Sequence, residues 1–143
     1  MAASRDHCIK LSVLQLEQMQ AWSSEHLPDE ACGLLLGTRV QGRTEVRELT
    51  LATNHFAGPR GQGFELEALH LLQTEDRARA SGLSVVGLWH SHPGQAALPS
   101  RADAAGALLD WSYPILALHA DGTGELRSWR HTSQGFQEER LLS

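Results

Sequence analysis

Two histidines separated by one residue, His90 and His92, with Asp103 following after ten intervening positions, constrain this chain more tightly than anything else in it. The triplet His90-Ser91-His92 ends an apolar run of strand length, Leu83 to Trp89. Strand side chains alternate with period two, so both imidazoles point to one face and can share one ion. Asp103, in the first turn of the next predicted helix, completes three protein ligands. Zinc with three protein ligands keeps a fourth position for water, which is the catalytic arrangement rather than the structural one. The fold must therefore bring a helix start back over the carboxyl end of a buried strand.

The remaining elements build that platform. Cys8 to Leu11 reads as a short edge strand. Ser12 opens a helix with a capping box to Gln15, and Val13, Leu16, Met19 and Trp22 recur at helical spacing. After Leu27-Pro28-Asp29, Glu30 leads into the continuous apolar run Ala31-Cys32-Gly33-Leu34-Leu35-Leu36-Gly37, the pattern of a central strand buried on both faces. A turn at Gln41-Gly42 and alternation over 44–51 predict a hairpin. The Gly- and Pro-rich stretch 54–63 predicts a loop. A second helix is expected from about Glu65 to Ala80, with acids in its first turn, a core stripe of Leu69, Leu72 and Leu66 or Ala68, and Gly82 as its stop. A third is expected from Ser100 through Leu109 or Trp111, passing over Gly106 and ended by Tyr113-Pro114. Strands at 115–119, 125–130 and 136–141 complete a single α/β domain over 1–143, with a mixed, largely antiparallel sheet flanked by helices.

Composition excludes several classes. Twelve Lys and Arg against 17 Asp and Glu give a net charge of -5, which is unsuited to nucleic acid as main partner. Residues 1–6 carry no apolar signal core, and no run approaches a membrane span. The two cysteines, Cys8 and Cys32, lack C-x-x-C spacing, which suits a reducing, cytoplasmic setting.

A zinc site of this kind also needs a general base, and Glu30, an acid at the mouth of a buried strand, is the strongest candidate by type and place. Ser100 offers a hydroxyl for the oxyanion of a tetrahedral intermediate. Ser100 and Asp103 equally fit a helix N-cap with an acid in the first turn. Cys32 reads as a small buried hydrophobe. His7, His26, His55, His70, His119 and His131 have no partner at ligand spacing, and Trp89 and Trp111, which flank the motif, read first as core and second as lining of a substrate groove.

Taken together, Glu30, Cys32-Gly33-Leu34-Leu35-Leu36-Gly37, His90-Ser91-His92-Pro93, Ser100 and Asp103 strongly resemble the JAMM (MPN+) zinc metalloproteases, which remove ubiquitin or ubiquitin-like modifiers. The resemblance covers nearly the whole chain. It implies the MPN, cytidine-deaminase-like fold, a curved sheet packed between helices, with one zinc held by His90, His92 and Asp103. Glu30 is then the general acid/base and Ser100 the stabiliser of the intermediate. Without the large insertions of eukaryotic members, the chain resembles the minimal prokaryotic ones, which implies a ubiquitin-like or sulfur-carrier partner ending in Gly-Gly. Two other functions fit the same residues: a non-catalytic zinc module that binds such tails, and a zinc amidohydrolase acting on small substrates. Oligomeric state is left open by the sequence.

Overall fold

A computed structural model of the chain describes residues 7–58, 61 and 63–143. The expectation for residues 1–6, and the part of the loop expectation that falls on Pro59, Arg60 and Gln62, lie outside the described residues. Among the described residues there are seven strands and three helices in the order β1 (Cys8–Lys10), α1 (Val13–His26), β2 (Cys32–Val40), β3 (Arg43–Leu49), α2 (Ala68–Ala80), β4 (Ser84–Pro93), α3 (Arg101–Ala105), β5 (Ser112–Leu118), β6 (Gly124–Thr132) and β7 (Gly135–Leu142).

The sheet is mixed, as the sequence suggests, but it closes on itself in the order β1-β3-β2-β4-β5-β6-β7. The expected curved sheet between helices is thus found closed into a barrel. Three-residue β1 makes the closure. It lies parallel to both β3 (Cys8↔Arg43) and β7 (Cys8↔Arg140), so it is no edge strand, and its Ile9 is fully buried. The Cys8 N–H donates to the Gly42 carbonyl at 3.0 Å, and the Arg140 N–H donates to the His7 carbonyl at 2.9 Å. A strand hydrogen-bonded on both sides leaves no unpaired edge for another chain to extend.

Helix α1 begins where the capping box places it. The Ser12 hydroxyl accepts the Gln15 N–H at 3.1 Å, and the Gln15 amide oxygen accepts the Ser12 N–H at 2.9 Å. Met19 is buried in the main core with Leu35, Val86, Trp89 and Leu116, and Trp22 stacks on Trp89 at 5.9 Å between centroids. Val13, at the outer end of the expected stripe, is 62% exposed. The β2–β3 hairpin turns at Gln41 and Gly42, with φ of 50° and 84°. Two successive positive-φ residues match the twist of flanking strands, as in a type I′ turn.

Helix α2 differs from expectation at its start and in its inward face. It begins at Ala68, so Glu65 and Glu67 precede it and its first turn holds no acid. Leu69 and Leu72 are exposed, whereas Thr74 and Ala78 are buried and Leu71 is half-buried. The inward face is therefore 71-74-78, built largely from small residues because the helix lies close against β2 and β4. Gly82 (φ 73°) ends α2 as expected, in the left-handed conformation.

Helix α3 is also shorter than expected. Gly106 caps it after Ala105, and the Leu108 N–H then donates to the Tyr113 hydroxyl at 2.7 Å, holding the chain in a non-helical course. Tyr113 and Pro114 belong to β5 rather than to a helix terminus.

Candidate metal centre

Strand β4 carries both histidines at its carboxyl end, as the sequence suggests, and continues through Pro93. It pairs antiparallel with β2 (Cys32↔His90) and parallel with β5 (His90↔Ile115, His92↔Ala117). His90 is therefore held by a ladder on either side and His92 by the β5 ladder, and both are buried. The antiparallel register runs on past the start of β2, so Glu30 reaches the same end of the barrel as His92. Glu30 is 3% exposed, and ligand atoms of Glu30, His90 and His92 all lie within 4.8 Å of one another.

Asp103 arrives from the third residue of α3. Its Oδ2 lies 3.3 Å from His90 Nε2 and 3.5 Å from His92 Nε2, and the two Nε2 atoms are 3.1 Å apart. Donors about 2.0–2.1 Å from a tetrahedral ion stand roughly 3.3–3.4 Å from each other. The triangle of these three atoms has the size of one face of such a tetrahedron. Their chemistry agrees with the geometry. His92 Nδ1 donates to the Ala96 carbonyl at 2.8 Å, which leaves the Nε2 lone pair of the neutral ring directed at the other two atoms. His90 Nδ1 is buried with no partner among the described residues. Three lone-pair atoms facing one point require a shared cation or shared protons, and the donor set fits zinc.

The electrostatics follow from burial and proximity. Burial pushes the Glu30 carboxyl up to about 7, with His92 opposing and Asp103 reinforcing the shift. Burial also pushes the His90 imidazole down, against its hydrogen bond to Asp103. Burial works the same way on His92, but its bonds to Asp103 and the Ala96 carbonyl outweigh it and raise the ring. For Asp103, burial favours the neutral acid, yet His90, His92 and the Ser100 N–H overcome it and hold the carboxyl far below the usual range. An ion entering this site meets an ionised carboxylate.

Ser100 and Asp103 form a full capping box. The Ser100 hydroxyl accepts the Asp103 N–H at 3.1 Å, and Asp103 Oδ2 accepts the Ser100 N–H at 2.8 Å. The capping reading and the ligand reading are therefore compatible: the cap aims the carboxylate at the histidines. The Ser100 hydroxyl proton stays available to an outside acceptor, because the bond within the box uses only a lone pair.

Beside Asp103 opens a cavity of about 310 Å3, lined by Leu34, Phe64, Leu66, Leu88 and Trp111 among others. Trp89 is core, as expected, but Trp111 faces this cavity. Three contributors to the site carry no signal at ligand spacing. The Phe64 ring packs on the His90 ring at 4.5 Å. Ser91 and Asn54 bond the backbone around Glu30. Ser91 reads in the sequence only as the spacer between two ligands, and Asn54 only as the first residue of a loop.

Residues 14–132 match the family model of prokaryotic homologs of the JAB domain. Desampylase of Pyrococcus furiosus is 29% identical to this chain over 100 residues, an overlap that covers 70% of this chain but 65% of that protein. Two solution structures are similar over most of both chains. One, of a protein from Desulfitobacterium hafniense, is 30% identical with a TM-score of 0.83, covering 94% of this chain and 91% of that one. The other, of a protein from Salinibacter ruber, is 31% identical with a TM-score of 0.68, covering 95% and 90%.

Proposed function

The chain belongs to the Prok-JAB family, the prokaryotic homologs of the JAB domain, and from that membership and the site we propose that it is a zinc-dependent peptidase or isopeptidase. Its substrate in this reading is a ubiquitin-like or sulfur-carrier protein, cleaved after a C-terminal Gly-Gly. The observation that carries the reading is the convergence of His90 Nε2, His92 Nε2 and Asp103 Oδ2 on one point, with the buried Glu30 carboxyl beside them. The name of the Pyrococcus relative, desampylase, supports a modifier protein as the partner. No helix among the described residues is long and apolar enough to cross a membrane, and a cytoplasmic modifier system is the setting we propose.

His90, His92 and Asp103 would hold the ion. Bound there, zinc supplies a water whose pKa is lowered to about 7 and a Lewis acid for the scissile carbonyl. Glu30 takes the proton of the attacking water. A buried carboxyl beside the donor triangle is placed for that task, because it can accept a proton there and return it to the leaving amine. The Ser100 hydroxyl donates to the oxygen that gains charge, and its own acceptor bond to the Asp103 N–H fixes its place. A Gly-Gly tail suits this entrance because a chain without side chains can pass close to a buried site.

The test incubates zinc-loaded protein with a panel of Gly-Gly-tailed carrier proteins bearing short C-terminal extensions, read by mass spectrometry. Cleavage after Gly-Gly is expected, with Glu30→Gln reducing turnover about 10²–10⁴-fold while substrate still binds. Full activity in Glu30→Gln removes Glu30 from its role. Binding of the carriers without any cleavage would leave a tail-binding module, and turnover of small amides alone an amidohydrolase.

A further inference from the structure

We propose that Asn54 and Ser91 are positioning residues for Glu30, holding its carboxyl against the donor triangle by gripping both ends of one peptide plane. Glu30 stands two residues before the first residue of β2. Side chains hold it there instead. The Asn54 amide Nδ2 donates to the Glu30 carbonyl at 3.0 Å. The Ala31 N–H donates to the Ser91 hydroxyl at 2.8 Å. That carbonyl and that N–H belong to the same planar unit. Bonds at its two ends fix the torsions on either side of the plane, and with them the direction in which the Glu30 side chain leaves the backbone.

Both gripping residues are themselves immobile. Ser91 is fully buried between the two histidines, and its own N–H donates to the Ala31 carbonyl at 3.0 Å. The segment that aims the imidazoles thus also aims the carboxylate. Asn54 is 7% exposed, and its amide spends its full capacity on backbone. Besides the Glu30 carbonyl it donates to the Gly63 carbonyl at 3.0 Å, and it accepts the N–H groups of Phe56 at 3.0 Å and Glu65 at 3.1 Å. Two donors and two lone pairs are all that an Asn amide has. Asn54 therefore ties the Glu30 plane to the loop that seats Phe64 on His90. Among the described residues, the hydrogen bonds of the two side chains go to backbone and none to His90, His92 or Asp103, and the plane they share is that of Glu30. A displacement of about 1 Å in a reacting group costs on the order of 10²-fold in rate.

The inference rests on Glu30 being the base, and its test is read both with and without turnover. Ser91→Ala, Asn54→Ala and Ser91→Thr are compared with the parent well below their melting temperatures. In metal-free protein, Ser91→Ala is expected to speed hydrogen exchange at the Ala31 amide. Both alanine variants should change the Glu30 χ1 couplings in NMR from a single rotamer to an average. In zinc-loaded protein both should keep metal stoichiometry, chelator competition and KM within about 2-fold, while kcat falls about 10–100-fold. Ser91→Thr, which retains the hydroxyl, should restore slow exchange and most of kcat. An unchanged Glu30 rotamer in both alanine variants overturns the inference, as does unchanged kcat where the rotamer averages. If the parent cleaves no carrier, the functional reading fails, and the exchange and coupling measurements still decide whether the clamp exists. Should Ser91→Ala not fold, Ser91→Cys, whose thiol accepts weakly, takes its place with the same expected directions.

Discussion

Two buried polar clusters lie in this barrel, and they satisfy themselves in opposite ways. In the first, Glu139 Oε1 accepts from Arg130 Nε at 3.1 Å and Nη2 at 2.8 Å, and Glu139 Oε2 accepts from the Ser128 hydroxyl at 2.7 Å. Arg130 Nη2 also reaches the Thr44 hydroxyl at 2.8 Å and the Gly42 carbonyl at 3.2 Å. Charge meets opposite charge, and donors meet acceptors. In the second, two imidazole Nε2 atoms and one carboxylate oxygen converge on each other with too few protons among them. Burying polar groups is tolerable only when they are paired. The first cluster is complete within the chain and is structural. The second is incomplete on its own: a shared proton or a cation would complete it, which is what makes it a candidate site.

The contrast predicts opposite consequences for removing one member of each. Asp103→Asn keeps an acceptor for the cap but loses the anionic ligand. Zinc stoichiometry should fall well below one per chain, and turnover by at least about 10³-fold, since the attacking water returns toward its ordinary pKa of about 15.7. The metal-free protein should lose some stability, because His90, His92 and the Ser100 N–H favour the ionised carboxylate of the parent, but less than Glu139→Ala loses. Glu139→Ala should do the reverse, leaving Arg130 buried without its counter-ion at a cost of about 3–5 kcal/mol in unfolding free energy. The fraction that remains folded should still bind one zinc. Urea unfolding alongside metal analysis reads both, and an Asp103→Asn variant as unstable as Glu139→Ala would erase the distinction.

How far either cluster is legible in the sequence depends on the range of the interactions. The α1 capping box, the Gln41-Gly42 turn and the His-x-His alternation are local, and each is where the sequence puts it. Nothing local says that Cys8 will pair with Arg140, so the barrel's closure is not legible, and neither is the salt bridge between Arg130 and Glu139 across β6 and β7. Leu69 and Leu72 misdirect because apolar spacing marks a stripe without saying whether the helix lies near enough for large residues; Thr74 and Ala78 take the inward face instead. Gly106 reads as a tolerated interruption, but the Tyr113 hydroxyl bound to the Leu108 N–H makes it a terminus. The candidate ligands are legible because metal chemistry restricts residue type and spacing together. The clamp by Asn54 and Ser91 is not, because bonds to backbone leave no partner side chain to recognise.

Glu30 permits a finer test of the same contrast. Its carboxyl is pushed up to about 7 chiefly by burial. An acid whose folded pKa is raised binds its proton more tightly in the folded state. The part of the metal-free protein's stability that comes from Glu30 should therefore fall as pH rises from about 4.5 to about 7, then level off. In Glu30→Gln this fall should vanish, so the variant is more stable than the parent at pH 8 and similar at pH 4. Denaturant unfolding of both proteins across that range decides it. The result that sinks the argument is an identical slope in the two.

Cys32 marks where the metal cluster stops. It pairs with His90 across β2 and β4, and directly opposed residues in an antiparallel pair share a face. A thiolate there would be a strong zinc ligand and would close the position that water needs. Burial, with the Glu30 charge adding to it, pushes this thiol up to about 12, and the side chain is fully buried. At pH 8 it remains a protonated, apolar group in a packed wall. Iodoacetamide should therefore leave Cys32 unmodified in the native protein and alkylate it once the chain is unfolded, as read by peptide mass spectrometry. Cys32→Ala should keep one zinc per chain and turnover within about 2-fold, with a loss of roughly 1 kcal/mol in stability for the vacated volume. Loss of zinc in that variant would place Cys32 among the ligands and turn the open site into a closed one.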